Sequence, residues 1–319
     1  MMASVGLVLG GGGITGAAYH LGALLTLEMA TGWRPDEAEV IVGTSCGAFT
    51  AAMVRGGQLS LDTFLDDAGS RDEMSDRLHS RIYRRGASPV GMVRWIRRGI
   101  LPGLTRPDLR MIAGSPAMYR TDGIVEWVEE RLGPLADSWP DRPTVIVGYD
   151  VHRRVRVPFG TEAAPDVALK HAVAASAAVP MVFEPVRIDG RLYLDGGISS
   201  GTSADLVLGS PRRLDLVIVI APMAASERRP GARFYEGALD RAGCAALVTE
   251  IERISVAWPD TDVVVFRPDE RVLAVTRPNP LSTKAAVPAF LRTLKSFKVE
   301  LAQPDTWAVL ARHLVGSTV

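Results

Sequence analysis

The short apolar run Val5-Gly-Leu-Val-Leu9 passes directly into four consecutive glycines, Gly10 to Gly13. A brief apolar run bounded by glycine is the pattern of a buried parallel strand, which has no polar face to alternate with. The glycines free the backbone for positive φ and let N–H groups approach a ligand closely. Ala17 to Ala30 predicts a helix ending near Gly32. Its positive N-terminal end makes the preceding loop suited to an anion. Glu39-Val-Ile-Val-Gly43 predicts a second strand, and Ala48 to Val54 a second helix. Strand and helix alternating at this pace imply a βαβ unit, hence an α/β fold with a mostly parallel central sheet flanked by helices.

Between about residues 60 and 140 strand patterns vanish, and Arg, Asp, Gly and Pro punctuate short helical stretches. This segment is expected to be a helical insertion beside the sheet. Strands resume at Thr144–Gly148, Arg153–Phe159, Arg187–Leu194, Leu214–Ile220 and Asp262–Phe266. Helices are expected at Glu236–Ala257 and Pro288–Leu301, so the region from about 236 to 319 is mainly helical. With no repeat and no linker, residues 1–319 are expected to form one domain. At 47% hydrophobic and 23% charged, the chain has enough apolar material for a sizeable core.

Three local patterns carry chemistry. Gly11, Gly13 and Gly16 satisfy the G-x-G-x-x-G fingerprint of a dinucleotide loop. That reading requires an acid about 20 residues further on, at the end of the second strand, to hold a ribose. The acid nearby, Glu39, stands at the start of that strand, so a nucleotide-binding oxidoreductase remains only the weaker alternative. The strand end instead carries Gly43-Thr-Ser45-Cys-Gly47, a G-x-S-x-G. In a nucleophile elbow the serine occupies a strained strand-to-helix turn, and glycines relieve the crowding around it. Gly197-Ile-Ser199-Ser-Gly201 matches the same pattern but follows a glycine pair rather than a strand, which favours Ser45.

A serine hydroxyl needs a base. Tyr193-Leu-Asp195-Gly196-Gly197 ends an apolar stretch with an acid and two glycines. A parallel strand here would project Asp195 from the same sheet edge as Ser45. Taken alone, Asp before glycine more often opens an ordinary turn. Ala174-Ala-Ser176-Ala-Ala-Val-Pro180 reads as a close-packed helix running into a turn, with a packing role around the site.

A glycine loop, G-x-S-x-G, A-S-x-x-x-P and D-G-G in this order resemble the patatin-like phospholipase family, over roughly residues 5–210. The resemblance implies a Ser45–Asp195 dyad without histidine, Gly11, Gly12 and Gly13 as oxyanion donors, and lipid acyl esters as substrates. Gly16, Gly43, Gly47, Gly196 and Gly197 are the supporting motif glycines. Two positions depart from the family pattern. Thr15 stands where Arg or Lys is usual, which bears on any preference for phospholipid, and Cys46 stands where a smaller residue is usual.

Thirty-six basic and thirty-six acidic residues balance, so no general attraction to nucleic acid is expected. The two cysteines, Cys46 and Cys244, form no disulfide framework, and the five histidines (His20, His79, His152, His171, His313) share no metal-ligand spacing. No metal or cofactor is expected. The order Ser45, Asp195, His313 also suits a conventional α/β-hydrolase triad, although that fold builds several strands before its serine. Residues 89–101 place Met92, Val93, Trp95, Ile96 and Ile100 on one helical face and Arg94, Arg97 and Arg98 on the other. Such a helix suits a cap over an acyl pocket, or peripheral contact with a membrane surface. With no leader pattern or membrane span, the expected location is cytoplasmic.

Overall fold

A computed structural model describes residues 3–60, 70–86, 117–226, 234–277 and 279–315, so the amphipathic pattern at 89–101 lies outside the described residues. The order is β1 (Val5–Leu9), α1 (Gly13–Thr31), β2 (Val40–Thr44), α2 (Cys46–Arg55), α3 (Arg71–Ile82) and α4 (Asp122–Leu132). Then come β3 (Thr144–Asp150), β4 (Val155–Phe159), α5 (Leu169–Ser176), β5 (Val186–Ile188), β6 (Arg191–Asp195) and β7 (Leu216–Ile220). The last elements are α6 (Phe234–Ala257), β8 (Asp262–Phe266), α7 (Glu270–Thr276), α8 (Ala286–Leu301) and α9 (Pro304–Leu314).

The strands form one eight-stranded sheet in the order β5-β6-β3-β2-β1-β7-β8, with β4 also on β3. The β3-β2-β1-β7-β8 portion is parallel, while β4 and β6 run antiparallel to β3 and β5 to β6. The mostly parallel α/β expectation holds. Side chains alternate between two cores, which is why the strand sequences are apolar throughout. Leu7, Leu9, Ile41, Ile146, Ile218 and Ile220 pack with residues of α1, α2, α4, α5, α8 and α9. Val8, Val42, Val147, Val217 and Val219 pack on the opposite face with Leu247 and Ile254 of α6.

Local chemistry sets the element ends. Gly32 closes α1 in the left-handed conformation, its N–H donating to Glu28 O at 2.8 Å. Ser70 and Asp269 accept from the Glu73 and Val272 N–H groups and so cap α3 and α7. The single strand expected over Arg187–Leu194 is instead a hairpin. Asp189 and Gly190, both at positive φ, turn β5 back into β6, as an Asp-Gly pair favours.

This hairpin changes how Asp195 reaches the site. Ile146 and Val147 of β3 pair with β4 and β2, whereas Gly148, Tyr149 and Asp150 pair with β4 and β6. Strands β2 and β6 therefore share one edge of β3 and meet end to end. Thr44 is opposite Val147 and Asp195 opposite Gly148, so the C-terminal ends of the two strands face each other. The expected parallel strand was the wrong direction, yet the antiparallel one brings its last residue to the same place.

Candidate active site

Ser45 sits between β2 and α2 with φ 56° and ψ −122°, a backbone conformation that costs a non-glycine residue on the order of 1–3 kcal/mol. The surrounding glycines make the turn sterically possible. A Cβ on Gly47 would lie 1.9 Å from Leu9 O, and one on Gly43 2.5 Å from Gly47 O. The Ser45 N–H donates to Ser176 Oγ at 2.9 Å, and that hydroxyl donates to Val147 O at 2.6 Å. Ser176, fully buried on α5, thus pins the elbow to β3. The A-S-x-x-x-P stretch was expected merely to pack, but its serine is a polar clamp. A serine following the run Ala172-Val-Ala-Ala175 at the buried end of the helix was the available signal.

The Ser45 hydroxyl lies beside the Asp195 carboxylate, close enough to lower its pKa, and both residues are buried. The Gly197 N–H donates to Asp195 Oδ1 at 2.7 Å. Burial raises the Asp195 carboxyl to about 6, against the opposing effect of the neighbouring Ser45 hydroxyl and Gly197 N–H. Gly196 is required by contact, since a Cβ there would lie 2.3 Å from Val147 O. Ser199 is exposed and only closes a short turn onto Gly196 O, so the second G-x-S-x-G is no elbow.

The glycine loop lies against Ser45, but its members differ. The Gly11 N–H donates to Gly201 O at 2.7 Å and so is not a free donor. Its use is close approach, because a Cβ there would stand 3.3 Å from Ser45 Cβ. Gly12 and Gly13 open α1, where the first N–H groups have no partner within the helix. The Cys46 thiol donates to Gly10 O at 3.6 Å. A Cβ on Gly16 would lie 2.9 Å from Cys46 Sγ, so the larger residue after the serine fits only because position 16 is glycine. Burial and the Asp195 charge push the Cys46 thiol up, which keeps it protonated.

An apolar cavity opens at Ser45, with about 680 Å³ of empty space including its mouth. Phe49 of α2, Leu78 and Ile82 of α3, and Ile124 and Trp127 of α4 form part of its wall. The described helices of the 60–140 segment therefore line part of the cavity. His313 does not join it. Its Nε2 lies 2.7 Å from Asp262 Oδ2, at the start of β8, whereas Ser45 follows the C-terminal end of a strand parallel to it. The two are on opposite edges of the sheet, which removes the Ser–Asp–His alternative.

With the geometry in place, comparison with known proteins is informative. A sequence model described as patatin-like phospholipase matches residues 7–208. The chain belongs to the patatin-like phospholipase family. Among solved structures it is similar to VipD from Legionella pneumophila at 16% identity and a TM-score of 0.36, covering 93% of this chain and 67% of that one. It is also similar to the heterodimeric ExoU–SpcU complex from the type III secretion system of Pseudomonas aeruginosa, at 18% identity and a TM-score of 0.29. That alignment covers 98% of this chain and 57% of the other. The span matched to the patatin-like phospholipase family contains the glycine loop, Ser45, Ser176 and Asp195, and ends before β7.

Position 15, where this chain departs from the family's usual basic residue, does not line the cavity at Ser45. Thr15 is buried, its N–H donates to Pro280 O at 3.0 Å, and its Oγ1 has no hydrogen-bond partner. It shares a small recess behind the loop with Tyr19, Thr276 and Arg277. Arg277 is itself buried, paired with Asp240 at 2.6 Å and donating to Pro222 O.

Proposed function

We propose that this chain hydrolyses lipid acyl esters through a Ser45–Asp195 dyad. The observation that carries the reading is a strained serine beside a buried aspartate of raised pKa at the mouth of an apolar cavity. Asp195, ionised at neutral pH, accepts the Ser45 proton as Oγ attacks the ester carbonyl. The N–H groups of Gly12 and Gly13, with the positive end of α1 behind them, receive the oxyanion. Asp195 then returns the proton to the departing alcohol, leaving an acyl group on Ser45. Water, deprotonated by Asp195, attacks the acyl carbon, and the free acid leaves with Ser45 regenerated. The apolar wall suits an acyl chain rather than a polar substituent, which supports the lipid part of the reading. One catalytic domain spanning residues 1–319 belongs to the same proposal.

The test is covalent labelling by a fluorophosphonate together with turnover of p-nitrophenyl esters and phospholipid. Ser45→Ala is expected to lose both labelling and turnover while keeping the wild-type melting temperature. Labelling that persists in Ser45→Ala would show another nucleophile and defeat the proposal.

A further inference from the structure

The family match ends at residue 208, yet part of the cavity wall comes from much further along the chain. Leu281 and Ala286 line the same cavity as Ser45. Residues 279–286 are held in place from several sides. Pro280 O accepts the Thr15 N–H at 3.0 Å, and Leu281 O accepts the Tyr83 hydroxyl at 2.6 Å. Thr283 Oγ1 lies 2.9 Å from Ser75 Oγ, both residues being buried. Within the segment, the Leu281 N–H donates to Asn279 Oδ1 at 3.0 Å. These bonds fasten the segment to α1 and α3, so Leu281 is part of a fixed wall.

Leu281 is also placed next to the reacting end of the cavity. Gly13 has φ 62°, and a Cβ there would lie 2.7 Å from Pro280 O and 3.1 Å from Leu281 Cδ2. The leucine methyl therefore touches the glycine loop that faces Ser45. Leu78 and Ile82 of α3 and Ile124 and Trp127 of α4 line other parts of the same cavity.

We propose that Leu281 is a specificity-determining residue which narrows the cavity beside the carbonyl and rejects acyl groups branched at the carbon next to it. The inference rests on the Ser45 ester-hydrolase reading. A fixed apolar wall discriminates by volume, and a single methyl group that clashes or fits is worth about 10- to 200-fold in kcat/KM.

The experiment compares kcat/KM for p-nitrophenyl butyrate and p-nitrophenyl isobutyrate, which share a leaving group and a carbon count. The wild type is expected to prefer butyrate. Leu281→Ala is expected to raise the isobutyrate-to-butyrate ratio about tenfold, and Leu281→Phe to lower it. Tyr83→Phe keeps the ring but releases the Leu281 carbonyl, and is expected to raise the ratio by about a few-fold. If Leu281→Ala does not fold, the other two variants decide the matter. A ratio that stays constant while both rates fall together would make Leu281 merely structural and overturn the proposal. A wild type that cleaves neither ester and takes no fluorophosphonate would instead overturn the ester-hydrolase reading, and this inference with it.

Discussion

Asp195 links activity to stability through one proton. Its carboxyl moves from an ordinary value of 3.8 to about 6 on folding, chiefly because it is buried. Between those values the folded chain binds more protons at this residue than the unfolded chain does. The contribution to stability is therefore lost as pH rises through the window, by about 3 kcal/mol in all. Asparagine keeps the shape without the charge. Asp195→Asn is expected to melt higher than wild type above pH 6 and to match it near pH 4, while losing ester turnover at every pH. In the wild type, kcat/KM for a soluble ester should rise through about pH 6 and level off above it, since only the carboxylate accepts the serine proton. Equal melting temperatures at pH 8, or a pH profile without a step near 6, would contradict this account.

Among the elements, α5 holds the elbow that β2 and α2 form. Ser176 reaches from that helix across two strands, accepting from the Ser45 N–H and donating to Val147 O. Ser176→Ala leaves both backbone groups buried without that partner, at a cost of about 1–3 kcal/mol each. The variant is expected to melt lower and, where folded, to show reduced kcat with little change in KM, because the nucleophile is mispositioned rather than the cavity altered. An unchanged kcat on a soluble ester would reduce Ser176 to a packing residue. Helix α9 provides the contrasting case. Its His313 pairs with Asp262 at the far edge of the sheet. His313→Ala should retain full turnover, and a loss of several orders of magnitude with a normal fold would restore a histidine mechanism.

Across the whole molecule, the glycine loop is supported by parts of the chain far from it in sequence. Glu250 of α6 is buried and accepts from the Ser200 and Thr202 hydroxyls and the Ala204 N–H. This anchors the turn whose Gly201 carbonyl takes the Gly11 N–H. Removing the carboxylate in Glu250→Ala strands three buried donors, an expected loss of about 3 kcal/mol or more. The variant should also turn over ester more slowly even at temperatures where it is folded, because the Gly201 contact loosens. Thermal melts and initial rates on p-nitrophenyl butyrate measure the two effects separately. Among the described residues no helix is long and apolar enough to cross a membrane.

The sequence by itself determined the parts of this protein that depend on neighbouring residues. Apolar strand runs, the positive-φ elbow at Ser45 and the glycines at 43 and 47 are local requirements of backbone geometry, legible wherever the residues are adjacent. The Asp-Gly pair at 189–190 was equally local, but it lay inside an apolar stretch that read as one strand. What tertiary structure alone decided is everything that joins distant segments. The end-to-end meeting of β2 and β6 puts Asp195 at Ser45, and it depends on which edge of β3 each strand occupies. The Ser176 clamp spans 131 residues, and the Tyr83–Leu281 tether spans 198. Such contacts follow from sheet register and from the packing of both sheet faces, which no local pattern encodes. The same holds for the separation of His313 from Ser45, since residue order along a chain does not say which edge of a sheet a helix returns to.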